Sequence, residues 1–398
     1  MYLGLFILIH FIFSLRIYFS EKIYGVKSIY VLGLILFVFI PTLYNRLSLV
    51  YVNYEPSWLF HLTLFTCSLI VFYIKISYLK IGLLFEVPFK RNIIRKISVL
   101  LWIVFLFILL LTFAGLDYLL RFPSVGFYTI TSYFTIYLFK KRNEFGNSFI
   151  NFGLMSFLIL LLFTFFLWTG SGRLILFQFV SIALFLFTWI LKKPKIIKFV
   201  FLLFVPMLIF VGGILRDDSA GFTETLTSGG GAGSMFSTYR ESERVFNDVS
   251  SGNRQILKGE SYVAGFLFFV PRIYWESKPV GFGYQLVEWY EPWQLDKGHS
   301  LAASFIAEAY ANFHLLGLLL CPLLIFLIIK WLRYCFSKPV KQFSSNDIKI
   351  ILVGLCFFCC ILEFIWGGIQ TFLIRSVVSS LAVILIFKYL KFFGAFRS

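Results

Sequence analysis

Long apolar runs recur along most of this chain, and they constrain its fold more than any other feature. A run of about 18 or more apolar residues predicts a helix that spans a membrane. Hydrophobic residues make up 60% of the 398 residues, whereas soluble domains contain roughly 45–50%. The pattern predicts an all-α polytopic membrane protein with about eleven transmembrane helices. The spans are expected at residues 2–19, 28–45, 57–79, 97–117, 122–139, 149–168, 173–191, 196–214, 301–330, 347–365 and 369–388.

Basic residues fall in alternate connections between these spans, which predicts the orientation of the chain. Lys22 and Lys27 follow the first span, for example, and Lys388, Lys391 and Arg397 follow the last. Short connections rich in Lys and Arg remain on the cytoplasmic side of a membrane. The N-terminus is therefore expected outside and the C-terminus inside.

One long polar segment interrupts the apolar pattern and divides the chain into three parts. Residues 1–214 hold eight predicted spans, residues 215–300 form a large extracytoplasmic loop with short helices, and residues 301–398 hold three further spans. Within the loop, residues 238–257 are expected to form a helix. Residues 262–274 are apolar enough to lie along the membrane surface or to dip into it.

The loop interleaves arginines with aromatic residues, which suits a ligand that has both phosphate and sugar parts. Guanidinium groups bind phosphate oxygens in a forked, bidentate geometry, and aromatic rings cover the apolar faces of sugars. Two other roles remain open: surface ion pairs for the arginines, and anchoring among lipid headgroups for the aromatic residues. The candidate binding residues are Arg216, Arg240, Arg244, Arg254, Arg272, Lys278, Tyr274 and Trp275.

The net charge of +17 does not indicate a nucleic-acid partner. The positive excess lies in the short connections, where it is explained by membrane orientation. The long loop itself carries more acidic than basic residues, so its arginines are better understood as individually placed.

A second candidate anion site closes the predicted turn between the sixth and seventh spans. Gly170, Ser171 and Gly172 let backbone N–H groups approach an anion at a helix N-terminus, and Arg173 adds positive charge. The alternative is a tight turn between spans whose arginine touches lipid phosphates.

Two residues after the polar segment are candidates for a general base. His299 could accept a proton from a sugar hydroxyl, since an unperturbed imidazole has a pKa of about 6.5, or it could cap the following helix. Glu308 lies in the ninth predicted span, four residues before Asn312 and on the same helix face. An acid within a span is a functional hypothesis by default. Glu308 could act as the base, orient an arginine, or be the buried partner of Arg173 or Arg272.

No metal and no cofactor are expected. No Cys or His spacing suggests a zinc site. The glycine-rich stretch at 229–233 lacks the Lys-Ser pair of a phosphate-binding loop.

Several of these features occur together, in the same order, in one family. They are the turn from Gly170 to Arg173, the long outer loop, Phe269-Val270-Pro271-Arg272 with Lys278-Pro279, and Ala307-Glu308-Ala309-Tyr310-Ala311-Asn312-Phe313 leading to Gly317. In these features the chain resembles the Wzy-type O-antigen and capsular polysaccharide polymerases. Similar proteins often have Gly after the Asn-Phe pair, where this chain has His314.

The resemblance implies a glycosyltransferase in the bacterial cytoplasmic (inner) membrane, with its active site facing outward. Its donor and acceptor would be oligosaccharide repeat units carried on undecaprenyl diphosphate, and its product would be O-antigen or capsule. Membrane lipids, a chain-length regulator and a flippase would be its partners. The resemblance assigns diphosphate binding to Arg272, Arg216, Arg244 and Arg173, substrate contacts to Tyr310 and Asn312, and the base to Glu308 or His299.

Two other functions compete with this interpretation. An O-antigen ligase would have similar spans and a similar loop but would transfer the glycan to lipid A core. A polysaccharide flippase or transporter belongs to a different class, and it would be expected to line its core with more polar residues.

Overall fold

The computed structural model describes residues 2–21, 23–47, 57–78, 99, 103, 123–141, 173–188, 195–196, 198–203, 233–297, 300–337 and 345–392. Every regular element within these residues is helical. A π-helical turn covers Ile35–Phe39, and a 3-10 helix covers Pro292–Lys297. The α-helices are α1 Tyr2–Ser20, α2 Val26–Leu34, α3 Ile40–Leu47, α4 Trp58–Tyr73, α5 Pro123–Lys140, α6 Arg173–Thr188, α7 Gly233–Ser250, α8 Glu260–Phe266, α9 Phe282–Tyr290, α10 Phe305–Phe313, α11 Leu315–Ser337, α12 Ser345–Cys359 and α13 Ile361–Phe392.

Four helical stretches in the described residues are long and apolar enough to cross a membrane. They are Tyr2–Ser20, Val26–Leu43, Leu315–Ser337 and Ile361–Tyr389. The predicted all-helical fold is therefore confirmed for this part of the chain, whereas the total of about eleven spans and their orientation remain predictions. The predicted span at 149–168 and most of those at 97–117 and 196–214 lie outside the described residues.

The ninth predicted span, 301–330, is not one continuous helix. Helix α10 ends at Phe313 and α11 begins at Leu315, because His314 adopts φ 51° and ψ −134° between them. Gly317 then packs so closely on α10 that a Cβ there would overlap the carbonyl group of Ala309. Hydropathy is continuous across this break, so the apolar pattern alone did not reveal it.

The last helix also contains a backbone break. Gly368 has φ 79° and ψ −166° inside α13, at the position where the sequence predicts the boundary between the tenth and eleventh spans. Residues other than glycine rarely adopt these backbone angles. A Cβ on Gly368 would also overlap the Glu308 carboxylate, so a glycine is required here for two reasons.

The described chain forms two compact units, each assembled from separate stretches of sequence. The first comprises Met1–Lys75, Lys195–Ile329 and Ile361–Ile374. The second comprises Ile76–Pro194, Lys330–Cys360 and Arg375–Ser398.

Helix α10 forms the core of the first unit. It contacts α4, α7 and α8, and all residues from Phe305 to Asn312 are buried. Ser304 caps its N-terminus by accepting a hydrogen bond from the Ala307 N–H at 3.4 Å. Ser242 of α7 accepts a hydrogen bond from the Ser304 N–H at 2.9 Å, which fixes the start of α10 against α7.

The second unit is built on contacts among α5, α6 and α12. Tyr128 of α5 stacks on Phe179 of α6 with ring centroids 4.2 Å apart. Gly126 lies against the backbone carbonyl of Ser379, where any Cβ would overlap it. Close helix packing over a small residue is typical of membrane-embedded helix pairs.

We expect Gly317→Ala to lower the free energy of unfolding by about 3 kcal/mol, because the new methyl group meets backbone that cannot move aside. Gly367→Ala is the matched control, since a Cβ there would lie 3.1 Å from the hydroxyl of Thr371, a side chain that can rotate. The measurement is the thermal unfolding midpoint of each purified variant in detergent. Equal midpoints for the two variants would contradict the close approach at Gly317.

Candidate functional site

Glu308 lies at the centre of a fully buried polar cluster. One carboxylate oxygen, Oε2, accepts the backbone N–H of Ile369 at 2.6 Å, immediately after the break at Gly368. The other oxygen, Oε1, accepts the hydroxyl of Ser261 on α8 at 2.9 Å. A single side chain therefore joins α10, α8 and the interrupted α13.

Asn312 completes this cluster from the next turn of α10. Its Nδ2 donates to the Ser261 hydroxyl and to the Glu308 carbonyl oxygen, each at 2.7 Å. Its Oδ1 accepts the Ser261 N–H at 3.4 Å. Glu308 and Asn312 share one helix face, as their spacing predicts. Among the described residues, the carboxylate of Glu308 accepts hydrogen bonds from a hydroxyl and a backbone N–H. The sequence suggested Arg173 or Arg272 as its partner, and the side chain of Arg173 lies outside the described part of the chain.

Burial raises the pKa of Glu308 to about 7, against its ordinary 4.5, while the bonds from Ile369 and Ser261 act in the opposite direction. Both of those bonds stabilise the ionised form, but desolvation outweighs them. Glu308 lies outside the four candidate membrane spans. A carboxyl group with this pKa gains or loses its proton close to neutral pH.

Three arginines of the predicted binding set meet on one side of the first unit. The Arg244 guanidinium lies 3.7 Å above the ring centroid of Tyr290, and that of Arg254 lies 5.9 Å from the same ring. Arg254 also donates to the carbonyl oxygen of Trp289 at 2.5 Å. Arg240 joins the group through Glu241, which it contacts at 2.8 Å, while Arg244 reaches the same carboxylate at 3.8 Å.

We call Arg240, Arg244 and Arg254, together with Glu241 and Tyr290, the arginine cluster. Glu241 is 1% exposed, whereas the side chains of Arg240 and Arg244 are 46% and 32% exposed. The ion pairs suggested by the sequence are therefore formed with Glu241, but they leave the cations accessible. Tyr290 is buried and holds the guanidinium planes in position, since aromatic faces attract cations.

The Arg272–Lys278 turn is a separate feature of the loop. The Lys278 ammonium group donates to the carbonyl oxygens of Phe268 and Val270 at 3.1 and 2.9 Å. Arg272 and Tyr274 are exposed. Lys278 therefore stabilises the turn, whereas the sequence placed it in a ligand site.

The remaining predicted residues are only partly covered by the structure. Arg216 and His299 lie outside the described residues, and Arg173 is described only as the first residue of α6, in the second unit. Tyr310 is buried against Phe246, with ring centroids 4.1 Å apart, and its hydroxyl is hydrogen-bonded to His314 at 3.0 Å. Within the described residues, the contacts seen for Tyr310 are those of a packing residue.

A second buried acid escaped the sequence reasoning. Glu243 of α7 accepts the backbone N–H of Ser57, the N-cap of α4, at 2.6 Å, and lies 3.8 Å from His61. His61 is also hydrogen-bonded to Tyr239 at 3.0 Å. Burial raises the pKa of Glu243 to about 8. Glu243 and Ser57 are 186 residues apart, so no local pattern in the sequence could have predicted their contact.

No family model, curated protein or solved structure matches the chain. Among the described residues, no group of three or more His, Cys, Asp or Glu side chains is arranged to hold a metal ion.

We expect Glu308→Ala to cost about 3 kcal/mol of stability, because it leaves two buried donors without an acceptor. Glu308→Gln should cost less, since its amide can accept from Ile369 and donate to Ser261. The measurement is the thermal unfolding midpoint in detergent, with the exposed Glu288→Gln as control. Equal losses for Ala and Gln would contradict the bonding described for Glu308.

The raised pKa of Glu308 also predicts that the difference in stability between wild type and Glu308→Gln depends on pH. Because the folded pKa of Glu308 is raised, its stability contribution is fully present below the ordinary value of 4.5 and is lost as pH rises through about 7. Wild type should therefore lose stability relative to Glu308→Gln between about pH 4.5 and 7, the ordinary and the raised pKa of Glu308. A constant difference between the two proteins across this range would show that Glu308 does not titrate there.

Proposed function

We propose that this chain joins oligosaccharide repeat units carried on undecaprenyl diphosphate, at the outer face of the bacterial cytoplasmic membrane, as a Wzy-type polymerase does. The observation that carries the proposal is the arginine cluster. Arg240, Arg244 and Arg254 lie together on the segment that the sequence places outside, in a chain rich in apolar helices.

The cluster has the chemistry that a lipid diphosphate requires. Two guanidinium groups within 6 Å of one ring centroid can each bind one of two neighbouring phosphate groups. The diphosphate gains negative charge as it leaves the donor sugar, and preorganised cations stabilise that charge. Tyr290 and Glu241 fix the arginines beforehand, so little reorganisation is needed when substrate binds.

Contacts in the first unit support the outward position of the loop. Ser57, at the predicted outer end of the third span, donates its N–H to Glu243 of the loop. Gln370, near the predicted outer end of the last span, packs against Gly265 and Gly281 of the loop. These contacts are expected if the outer ends of the third and last spans lie on the same side of the membrane as the loop.

Contacts at the predicted cytoplasmic ends support the same topology. In the first unit, the Lys198 ammonium group donates to the carbonyl oxygens of Tyr18 and Glu21 at the end of α1. In the second unit, the Ser77 N–H donates to Ser337 at 2.9 Å. Each contact joins two segments that the distribution of basic residues assigns to one side.

Glu308 suits a positioning role in this proposal. Its bond to Ser261 links the buried α10 to α8, which lies between the arginine cluster and the Arg272 turn along the chain. Its carboxylate is fully buried, so contact with a sugar hydroxyl requires an opening of the cluster. The assignment of the base to Glu308 or His299 therefore remains a hypothesis.

We expect deletion of the gene in its own host to collapse the surface polysaccharide ladder to a single repeat unit. Wild type should restore the ladder. A double Arg244→Ala, Arg254→Ala variant should lower the polymerisation rate on the order of a hundredfold, because stabilisation of the leaving diphosphate is lost. The measurement is the size distribution of extracted polysaccharide on a gel.

Arg333→Ala is the matched control, because Arg333 is an exposed arginine far from the loop in sequence and should restore the full ladder. Membrane levels of each variant are compared by immunoblot. A ladder unchanged by the deletion contradicts the proposal. Loss of surface glycan with long polymer left on the lipid carrier indicates a ligase, and accumulation of single lipid-linked units inside the cell indicates a flippase.

A further inference from the structure

The segment of residues 266–280, which follows α8, presents an apolar surface to its surroundings. We call this segment the apolar tip. Phe266, Phe269, Ile273 and Tyr274 are 56%, 67%, 82% and 83% exposed. Four such side chains within nine residues are more than the scattered apolar groups normal on a protein surface.

Part of the backbone of the apolar tip is hydrogen-bonded within the tip itself. The N–H groups of Val270, Tyr274, Trp275 and Lys278 each donate to the carbonyl oxygen three residues earlier. The Lys278 ammonium group takes up the carbonyl oxygens of Phe268 and Val270. Irregular backbone can enter a low-dielectric medium only if its polar groups are bonded internally.

Both ends of the apolar tip pack against Gln370 of α13. A Cβ on Gly265 would lie 3.1 Å from the Cα atom of Gln370, and a Cβ on Gly281 would overlap the Gln370 side-chain amide. Gln370 belongs to α13, which contains one of the four candidate membrane spans. The segment thus leaves and rejoins the fold beside a helix that is itself suited to a bilayer.

We propose that the apolar tip inserts into one leaflet of the lipid bilayer and anchors the loop there. Phe269 and Ile273 enter the acyl-chain boundary, while Tyr274 and Trp275 lie at headgroup depth, where amphipathic rings are favoured. The exposed Arg272 faces the lipid phosphates. A bilayer accounts for the exposed apolar side chains of the tip and for its attachment to a helix that is itself suited to a bilayer.

The six native cysteines are buried, so a single added cysteine can be labelled selectively. Ile273→Cys carries an environment-sensitive nitrobenzoxadiazole dye in the full chain, reconstituted into phosphatidylcholine–phosphatidylglycerol nanodiscs. Nitroxide placed high on the lipid acyl chain tests contact with lipid, and iodide tests contact with water. Asn253→Cys, at an exposed polar position of the same loop, is the matched control, and Phe269→Cys is a second reporter in case one variant misfolds.

We expect the lipid nitroxide to quench the dye at residues 273 and 269 by about half and to leave residue 253 unquenched, with iodide giving the opposite order. Quenching by iodide alone at residue 273 would mean that the tip lies in water and would overturn the proposal. Protection from both quenchers would mean that protein covers the tip, which would overturn it equally. The experiment reads no polysaccharide, so its outcome is independent of the proposed enzymatic function.

Discussion

The need to satisfy buried backbone groups governs the structure around α10. The break at Gly368 interrupts an apolar helix and frees an N–H at Ile369, which Glu308 accepts. The same carboxylate holds Ser261, and Asn312 encloses both. Without this acid, the break would leave an orphaned donor in a dry interior, at a cost of about 1–3 kcal/mol. One ionisable side chain, assisted by Asn312, therefore holds α8 and α10 to the interrupted α13.

A second linkage follows the same logic. Glu243 accepts the N–H of Ser57, which begins α4, much as Glu308 accepts the first N–H after the break in α13. The start of a helix carries partial positive charge and unpaired N–H groups, so a carboxyl oxygen is a favourable acceptor there. In both places a glutamate on one helix bonds the first N–H groups of an apolar helix: Glu243 of α7 bonds the start of α4, and Glu308 of α10 bonds α13 after its break. Arg240, Arg244 and Glu241 of the arginine cluster lie on α7, the helix that Glu243 holds against α4.

The sequence predicted the features that depend on local pattern. Apolar runs predicted helices, and the four-residue spacing of Glu308 and Asn312 predicted their shared face. The break at Gly368 falls at the boundary predicted between the tenth and eleventh spans. The break at His314 was not predicted, because hydropathy measures side-chain polarity and not backbone angles. The bond between Glu243 and Ser57 was inaccessible for another reason: the two residues meet only through the tertiary fold, and each occurs in an ordinary local context.

His314 has a consequence for how such a sequence can drift. Its φ of 51° is strained for any residue other than glycine, and its ring is bonded to the Tyr310 hydroxyl at 3.0 Å. That bond offsets part of a backbone cost of about 1–3 kcal/mol. We therefore expect the two positions to vary together: a substitution that removes Tyr310 should favour glycine at position 314. Covariation between positions 310 and 314 would then reflect the backbone angle at residue 314, and it would not indicate that the two residues bind a common ligand.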